Sequence, residues 1–353
     1  MKVLHTADLH LKGYGDDRWE SLQRLIEVGK QERIESFVIS GDLFDKGIDA
    51  EDLRPRMREI FSGTGFKIVI IPGNHDKDAY KRGMWFGEDV IVLTELNRPF
   101  EDKGVRIWGM PFEPIEGEEI LQRLRWLANN LTNATHNILL YHGELLDAFF
   151  SRRDFGDEGE ERYMPVKLSY FKDLEIDYVL GGHFHSRMNS WKLENGGYFV
   201  YPGSPVSITK REIGRRHVNI LEVGKPPREY PLDTSHFEDV VIEFDPFSGN
   251  EPIETVKEGL DGLHKEARVI LTLKGFFNGK AIGMDERGLV ERIKRITEKR
   301  DIEERYEFKD IQVILEDDLL KRFVERLEQT GYDEEEKKEI REVAIHAMMK
   351  SRR

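Results

Sequence analysis

The chain has 353 residues, a length that suits about two domains, and its hydrophobic fraction of 39% is enough to form packed cores. The 54 lysines and arginines are outnumbered by 68 aspartates and glutamates, so the net charge of −14 argues against binding of nucleic acid by overall positive charge. Cysteine is absent, which excludes disulfides, thiolate metal sites, iron–sulfur clusters and cysteine nucleophiles.

Residues 1–230 alternate short apolar runs with amphipathic segments, which is the pattern of an α/β domain. The apolar runs predict buried strands over 3–7, 37–40, 67–71, 137–141 and 177–180. The amphipathic segments predict helices over 19–33, 52–61 and 118–131. The Asn195-Gly196 pair between two apolar runs predicts a β-hairpin with a type I′ turn, and the charged segment 151–164 predicts an exposed loop.

The pair Pro226-Pro227 stops any central strand and marks a break near the end of this domain. Residues 235–317 are expected to form a small α+β domain, with strands over 240–244 and 268–273 and helices over 253–264 and 288–299. Residues 318–353 are expected to form two amphipathic helices, over 319–329 and 334–349. Their predicted apolar stripes are Leu320, Phe323, Val324 and Leu327 on the first helix and Ile340, Val343, Ala347 and Met348 on the second.

Polar side chains follow five successive predicted strands, at the position where α/β sheets build their sites. In chain order these residues are Asp8 and His10, Asp42, Asn74 and His75, His142, and His183 and His185. Carboxylate, imidazole and amide ligands in this number exceed what one metal ion can use, and they suit two adjacent ions that act on a phosphate ester. The spacing alone leaves Mn²⁺, Fe²⁺ and Zn²⁺ open.

The order of these blocks resembles the calcineurin-like metallophosphoesterase superfamily, whose motifs run Asp-x-His, Gly-Asp, Gly-Asn-His, His and Gly-His-x-His. Within it, residues 1–220 resemble the SbcD-type branch of double-strand-break repair nucleases. The runs that carry this likeness are Gly41-Asp42-Leu43-Phe44-Asp45, Gly73-Asn74-His75-Asp76, Gly181-Gly182-His183-Phe184-His185 and Tyr201-Pro202-Gly203-Ser204-Pro205. Protein phosphatases of the superfamily have Asp-Arg-Gly and Glu where this chain has Asp45-Lys46-Gly47 and Asp76, which favours the nuclease branch.

The resemblance implies a four-layer β-sandwich flanked by helices, with residues 235–317 as a capping domain that binds DNA. It also implies two Mn²⁺ ions, with Asp42 bridging them. By the same resemblance, one ion is held by Asp8, His10, Asp42 and His185, and the other by Asp42, Asn74, His142 and His183. His75 is implied to be no ligand and to protonate the leaving oxygen. Relatives that degrade DNA ends often have His at the position of Asp45, which leaves the balance of exonuclease and endonuclease activity open.

Four basic residues that follow the last motif, Lys210, Arg211, Arg215 and Arg216, are predicted to contact a DNA backbone. The chain is therefore interpreted as a metal-dependent DNA phosphodiesterase in DNA repair and recombination. One alternative is a metallophosphoesterase that acts on small phosphodiesters, and another is a scaffold on an inactive phosphoesterase fold. The latter would be expected to have lost ligands, whereas all seven positions are filled.

The sequence contains no nucleotide-binding Gly-x-x-x-x-Gly-Lys-Ser/Thr loop, so any ATP dependence must come from another chain. The resemblance implies an SbcC-type, SMC-like ATPase that binds through the C-terminal helices, and it leaves room for a homodimer. The alternative is that these helices pack on the second domain. The charged N-terminus and the absence of a run of 18 apolar residues predict a cytoplasmic protein with no membrane partner.

Overall fold

The computed structural model describes residues 1–48, 50–80, 85–132, 136–148 and 163–351. The chain divides into two units, residues 1–237 and residues 238–353. Most of the exposed loop predicted at 151–164 lies outside the described residues.

The strands of the first unit are numbered along the chain: β1 (Lys2–Thr6), β2 (Ser36–Ser40), β3 (Lys67–Ile71), β4 (Val90–Val92), β5 (Phe100–Asp102), β6 (Val105–Met110), β7 (His136–His142), β8 (Tyr178–Gly182), β9 (Asn189–Lys192), β10 (Tyr198–Tyr201), β11 (His217–Glu222) and β12 (Arg228–Pro231). One six-stranded sheet has the order β12-β11-β1-β2-β3-β4, and the other has the order β5-β6-β7-β8-β10-β9. Strands β1 to β4 are parallel to one another, as are β6, β7, β8 and β10, so their carboxyl ends gather at one edge of each sheet.

The two sheets pack face to face and each is covered on its outer side, which confirms the predicted four-layer α/β fold. The central layer of the core joins β1, β2 and β3 to β6, β7 and β8 through residues such as Val38, Val69 and Leu140. Helices α1 (Asp17–Glu32) and α2 (Ala50–Phe61) cover the first sheet, and α3 (Glu118–Ala128) covers the second. In β1, β2, β3, β7 and β8 residues on both faces are buried, so these strands are apolar runs, and the sequence predicts all five.

Two turns differ from the sequence prediction. In the β9–β10 hairpin the carbonyl of Leu193 accepts from the N–H of Gly196, and Gly196 is left-handed at φ 91° whereas Asn195 is not. The predicted type I′ turn is therefore wrong, because the Asn195 side chain donates to the carbonyls of Leu174 and Ile176 and anchors the loop in another geometry.

The break predicted at Pro226-Pro227 is also displaced. These prolines lie in the turn between β11 and β12, and β12 extends the first sheet as its edge strand. An edge position tolerates proline because one side of the strand needs no ladder donor. The first unit consequently continues to residue 237.

The second unit is α+β, as predicted, with a three-stranded sheet in the order β13-β14-β15. Its elements are β13 (His236–Phe244), which begins in the first unit, α4 (Pro252–Leu260), β14 (Ala267–Phe277), α5 (Gly279–Ile282), α6 (Glu286–Thr297), β15 (Ile302–Asp310), α7 (Gln312–Leu315), α8 (Asp318–Glu328) and α9 (Glu334–Ser351). Helices α4 and α6 pack on the sheet around a core that contains Val256, Leu271 and Leu289. The implied role of this unit as a cap that binds DNA stays a prediction.

The C-terminal helices α8 and α9 form as predicted and pack within the second unit. Leu320 of α8 and Ile345 of α9 share a small core with Phe276 and Ile311. The predicted stripe on α9 is wrong in part, since Val343 is 70% exposed and the buried face runs instead along Lys337, Arg341 and Ile345. Among the described residues, no helix combines the length and the apolar character that a membrane span requires.

Candidate metal centre

The loops that follow five parallel strands converge at one edge of the first unit. Main-chain hydrogen bonds join the loops after β1 and β2, since the N–H groups of Asp8 and His10 donate to the carbonyls of Gly41 and Asp42. The N–H of His183, after β8, donates to both carboxylate oxygens of Asp8 at 3.0 Å. Five groups of side chains meet in one cluster, in which all but Asn74 and His75 are buried: Asp8 and His10, Asp42, Asn74 and His75, His142, and His183 and His185.

Four members of this cluster have left-handed backbones that L-residues rarely adopt. Their φ angles are 58° at Asp8, 49° at His10, 52° at Asp42 and 91° at His183. Each such conformation costs about 1–2 kcal/mol, and backbone strain of this kind concentrates at functional sites because the surrounding structure must enforce it. Here the parallel sheets and the hydrogen bonds between loops enforce it.

Glycines next to the cluster let the chains approach closely. A Cβ on Gly41 would collide with Nδ1 of His142, and one on Gly73 would collide with Oδ1 of Asp42. A Cβ on Gly182 would strike the main-chain oxygen of Ser40. These three positions therefore require glycine because of packing, and Gly41 also requires it because its φ is 95°.

The first half of the cluster contains Asp8, His10, Asp42 and His185. Nε2 of His10 lies 3.2 Å from Nε2 of His185 and 3.8 Å from Oδ2 of Asp42, while Nε2 of His185 lies 3.8 Å from Oδ1 of Asp8. The ligand atoms of Asp8, His10 and His185 all lie within 4.8 Å of one another, and so do those of Asp8, Asp42 and His142. Either group could hold a metal ion.

The second half is arranged around His142. Nδ1 of His142 donates to the main-chain oxygen of Ser40 at 2.8 Å, so in the neutral ring Nε2 carries a lone pair. That lone pair faces Oδ1 of Asn74 at 2.8 Å and Oδ2 of Asp42 at 3.4 Å. The ring of His183 lies beside that of His142, with centroids 5.4 Å apart.

This donor set fits divalent cations. Oδ1 of Asn74, Oδ2 of Asp42 and Nε2 of neutral His142 are all acceptors, and they lie next to one another. Oδ2 of Asp42 is also buried and has no hydrogen-bond partner among the described residues. Such an arrangement is stable only if a cation or an added proton lies between the acceptors. Imidazole, carboxylate and amide ligands suit Mn²⁺, Fe²⁺ and Zn²⁺.

The pKa values of the metal-free cluster reflect the same crowding of acceptors. Burial alone would lower the pKa of His142, but the negative charges of Asp42 and Asp8, the contact with Asp42 and the hydrogen bond to the main-chain oxygen of Ser40 together outweigh burial and raise it to about 9. Burial would raise the pKa of Asp42, but the charges of His142 and His10 outweigh it and hold this pKa below its ordinary range. Burial raises the pKa of Asp8 in spite of the opposing charge of His185. The buried carboxylates therefore favour a proton on His142 in the absence of a metal ion.

His75 lies at the rim of the cluster, beside His10 and next to Asp45. Its ring packs edge-on against that of His10 at 4.6 Å, and its Nδ1 lies 3.4 Å from Oδ1 of Asp45. Asp45 also accepts a hydrogen bond from Arg18 at 2.8 Å and forms an ion pair with Lys12 at 3.1 Å. Burial opposes ionisation of Asp45, but these cations and imidazoles lower its pKa far below the ordinary value, so it is a carboxylate.

Asp76 connects the loops after β2 and β3 and was not predicted to be a site residue. Its carboxylate accepts from the N–H groups of Leu43, Phe44 and Gly73 and from the hydroxyl of Tyr80. Burial, together with the nearby charge of Asp42, raises the pKa of Asp76 to about 6. In the sequence, Asp76 stands directly after the Gly73-Asn74-His75 motif, and that position is the signal that could have identified it. The motif assigns no role to this residue.

The predicted DNA contact at Arg216 is wrong because this residue is only 2% exposed. Its guanidinium donates to the main-chain oxygens of His185 and of Ser204, the latter at 2.9 Å. Arg215 is exposed and forms an ion pair with Asp233 at 2.5 Å. Lys210 and Arg211 are also exposed, and their contact with DNA stays a prediction.

Glu212, in the same segment, was missed by the sequence interpretation. Its carboxylate is fully buried, with Oε1 3.4 Å from Nδ1 of His185. Burial opposes ionisation, but His185 and Arg216 lower the pKa of Glu212 to about 2. In the sequence, Glu212 is the single glutamate within a run of basic residues. Glutamates in such runs are ordinarily exposed, so this position did not predict a buried carboxylate.

Comparison with known proteins agrees with this architecture. The model of the calcineurin-like phosphoesterase family matches residues 1–187. The DNA double-strand break repair protein Mre11 of Saccharolobus solfataricus is 23% identical over 235 residues, which cover 60% of this chain and 56% of that protein. The chain therefore spans little more than half the length of this curated relative.

Two solved structures also resemble parts of the chain. The protein TT1561 of Thermus thermophilus is 14% identical with a TM-score of 0.43, over 65% of this chain and 98% of that one. A dimetal phosphatase from Danio rerio is 11% identical with a TM-score of 0.45, over 66% of this chain and 96% of that one.

Proposed function

The chain belongs to the calcineurin-like phosphoesterase family, and from this premise we propose that it is a two-metal DNA phosphodiesterase of the SbcD type, acting in double-strand-break repair. The observation that carries the proposal is a cluster in which Asp8, His10, Asp42, Asn74, His142 and His185 present carboxylate, amide and imidazole acceptors to one another, with the ring of His183 beside that of His142. The similarity to a double-strand break repair protein supports DNA as the substrate.

We assign one ion to Asp8, His10, Asp42 and His185 and the other to Asp42, Asn74, His142 and His183, with Mn²⁺ as the metal. When bound, two such cations supply Lewis-acid stabilisation of the phosphate charge and activation of water as the nucleophile. The protein residues hold the ligand atoms at fixed positions through the strained loops and exclude bulk water, because every ligand except Asn74 is buried.

His75 is assigned as the general acid. A hydrogen bond from its Nδ1 to Asp45 leaves Nε2 to give a proton to the departing sugar oxygen. The Asp45 carboxylate favours the protonated ring because of its negative charge, while Arg18 and Lys12 hold that carboxylate in place.

Lys210 and Arg211 are assigned to the DNA backbone, because both are exposed and adjoin Glu212, whose carboxylate contacts His185. Replacing both with serine should weaken DNA binding and flatten its salt dependence, since two phosphate contacts are removed. Hydrolysis of bis-p-nitrophenyl phosphate should not change. Arg125→Ser on α3 is the control for loss of an exposed positive charge.

The function is tested by cleavage assays with the full chain in Mn²⁺ and in EDTA. The substrates are end-labelled single- and double-stranded DNA, bis-p-nitrophenyl phosphate and p-nitrophenyl phosphate. We expect metal-dependent cleavage of DNA and of the diester, with little action on the monoester. Hydrolysis of the small diester without DNA cleavage would instead identify a small-phosphodiester enzyme, and no hydrolysis at all would identify a scaffold.

We also propose that the chain acts with a separate SMC-like ATPase that contacts α8 and α9. Leu319 of α8 is 69% exposed and Val343 of α9 is 70% exposed, so both are available to another protein. A truncation after Asp318 would expose Phe276 and Ile311 of the second unit, so point variants are the better test. Leu319→Asp together with Val343→Asp should reduce capture by the cognate ATPase, and unchanged capture would place the interface elsewhere.

A further inference from the structure

We propose that Glu212 is a positioning residue that holds the imidazole of His185 toward the metal ions, with Arg216 holding the main chain of the same residue. The proposal deepens the proposed function, because it rests on the two-metal site. It does not depend on which phosphodiester is cleaved.

The geometry places one carboxylate behind the ligand. Oε1 of Glu212 lies 3.4 Å from Nδ1 of His185, and Nε2 of the same ring faces His10 at 3.2 Å and Asp8 at 3.8 Å. A carboxylate can only accept, so the proton of the neutral ring stays on Nδ1. Nε2 then presents its lone pair to the cluster, which is the tautomer that a metal ion requires.

Glu212 is itself held rigidly. Its Oε2 accepts from the main-chain N–H of Ile208 at 2.7 Å and from the hydroxyl of Ser204 at 3.1 Å, and its Oε1 accepts from the hydroxyl of Thr209 at 3.3 Å. These donors come from the segment that follows β10, so the carboxylate cannot turn away from the ring.

Arg216 completes the arrangement from the other side. Its guanidinium is buried and donates to the main-chain oxygens of His185 and Ser204. The positive charge also compensates Glu212, which would otherwise be a buried carboxylate next to a cluster of acids. His185 is thus fixed at its ring by Glu212 and at its backbone by Arg216, both from residues 204–216.

The two halves of the centre differ in this respect. Nδ1 of His142 donates to the neutral carbonyl of Ser40, whereas Nδ1 of His185 faces a negative carboxylate. A carboxylate raises the basicity of the ring more than a carbonyl does, and loss of such a partner typically weakens metal binding about 10–100-fold. The effect should fall on the ion that His185 holds.

The test is Mn²⁺ binding to the full chain, stripped of metal, by calorimetric titration and by electron paramagnetic resonance, without any DNA. We expect Glu212→Gln, which keeps the size and an acceptor oxygen, to lower the affinity for one of the two Mn²⁺ ions about tenfold. Glu212→Ala should lower the affinity for the same ion about 10–100-fold. The resonance signal of a coupled Mn²⁺ pair should accordingly appear at higher Mn²⁺ concentration in both variants.

Ser207→Ala is the matched control. It removes the hydroxyl that donates to the main-chain oxygen of Glu212 and leaves the carboxylate intact, so it loosens the same segment without changing the partner of His185. We expect this variant to bind both ions as the wild type does.

The results of these titrations separate the two proposals. If both Glu212 variants unfold more easily than wild type but bind two ions with wild-type affinity, Glu212 only stabilises the segment and the inference is overturned. Equal weakening in Ser207→Ala would overturn it as well. If the wild type itself binds fewer than two Mn²⁺ ions, the two-metal function fails instead.

Discussion

The two units place their structural strain differently. In the first unit, Asp8, His10, Asp42 and His183 are left-handed, and the carboxylates of Asp8 and Asp42 are buried beside imidazoles. In the described residues of the second unit, left-handed φ angles occur only at glycines, and the buried cations Lys337 and Arg341 are paired with Glu328.

The difference indicates which unit is built for chemistry. Strained backbones and crowded buried acceptors reduce stability, and they persist where a bound group or a reaction needs them. The second unit pairs its buried cations with carboxylates around an apolar core, which is the ordinary requirement for folding alone. Substitutions at the cluster should therefore change metal binding and activity, whereas substitutions in the second core should change stability.

Asp42→Ala should have the largest effect, because this carboxylate is proposed to ligate both ions. Activity on DNA and on bis-p-nitrophenyl phosphate should fall to background, and metal analysis should find fewer than two ions per chain in saturating Mn²⁺. Retention of both ions would contradict the assignment of Asp42 as the bridge.

His75→Ala should lower DNA cleavage about 10²–10⁴-fold, which is the usual contribution of a general acid. Both Mn²⁺ ions should remain, because His75 is assigned no metal. Rates with bis-p-nitrophenyl phosphate should fall less, since its nitrophenolate leaving group hardly needs a proton. Near wild-type cleavage of DNA would exclude the role.

Leu271→Ala should probe the second unit. Leu271 is fully buried in its core, so the variant should lose about 3 kcal/mol of unfolding free energy in urea. Mn²⁺ affinity should stay at the wild-type value. The exposed residue Val241 provides the control, and Val241→Ala should change stability by less than about 0.5 kcal/mol. If Leu271→Ala also lost Mn²⁺ binding, the claim that substitutions in the second core change stability but not metal binding would be contradicted.

Mn²⁺ affinity should depend on pH. The pKa of His142 in the metal-free protein is raised to about 9, and a metal ion must displace this proton. As pH falls from about 9 to about 7, affinity should therefore decrease about tenfold per unit for each proton displaced. Titrations in buffers of different ionisation heat measure the number of protons released. Affinity that is independent of pH would show that His142 is neutral before metal binds.

Asp42→Gly should be more stable than Asp42→Ala by about 1 kcal/mol in EDTA, although both should be inactive. Glycine adopts φ 52° without the steric cost that alanine meets there. Urea denaturation of the two variants measures the difference. Equal stability would mean that residue 42 leaves the left-handed conformation once the carboxylate is gone. The contacts of the Asp42 side chain, and not the rest of the fold, would then impose that conformation.

The sequence predicted the parts of the fold that depend on apolar periodicity. Buried strands such as β2 and β3 are rich in uninterrupted apolar residues, so they could be recognised from the sequence alone. Strand β15 was missed because Ile302, Tyr306 and Phe308 are its only apolar residues, and Glu304 interrupts their period of two.

At the site, the sequence predicted side chains that directly follow strands and missed those that contact these side chains from later loops. Asp8, His10 and Asp42 stand directly after β1 and β2, where the topology brings them together. Glu212 reaches His185 from 27 positions away, across a loop whose conformation no local pattern encodes. The same loop turns Arg216 inward, so a basic cluster in the sequence is not one surface in the fold.

The close approach at Gly41, Gly73 and Gly182 bears on how inactive relatives of this chain can be recognised. Each of these positions lacks room for even a methyl group, because the ring of His142, the carboxylate of Asp42 or the Ser40 carbonyl fills the space. A homologue that kept all seven acidic, amide and imidazole residues but carried alanine at Gly73 could not seat Asp42. Such a chain would pass a search for the seven proposed ligand residues, and we would still expect it to be inactive.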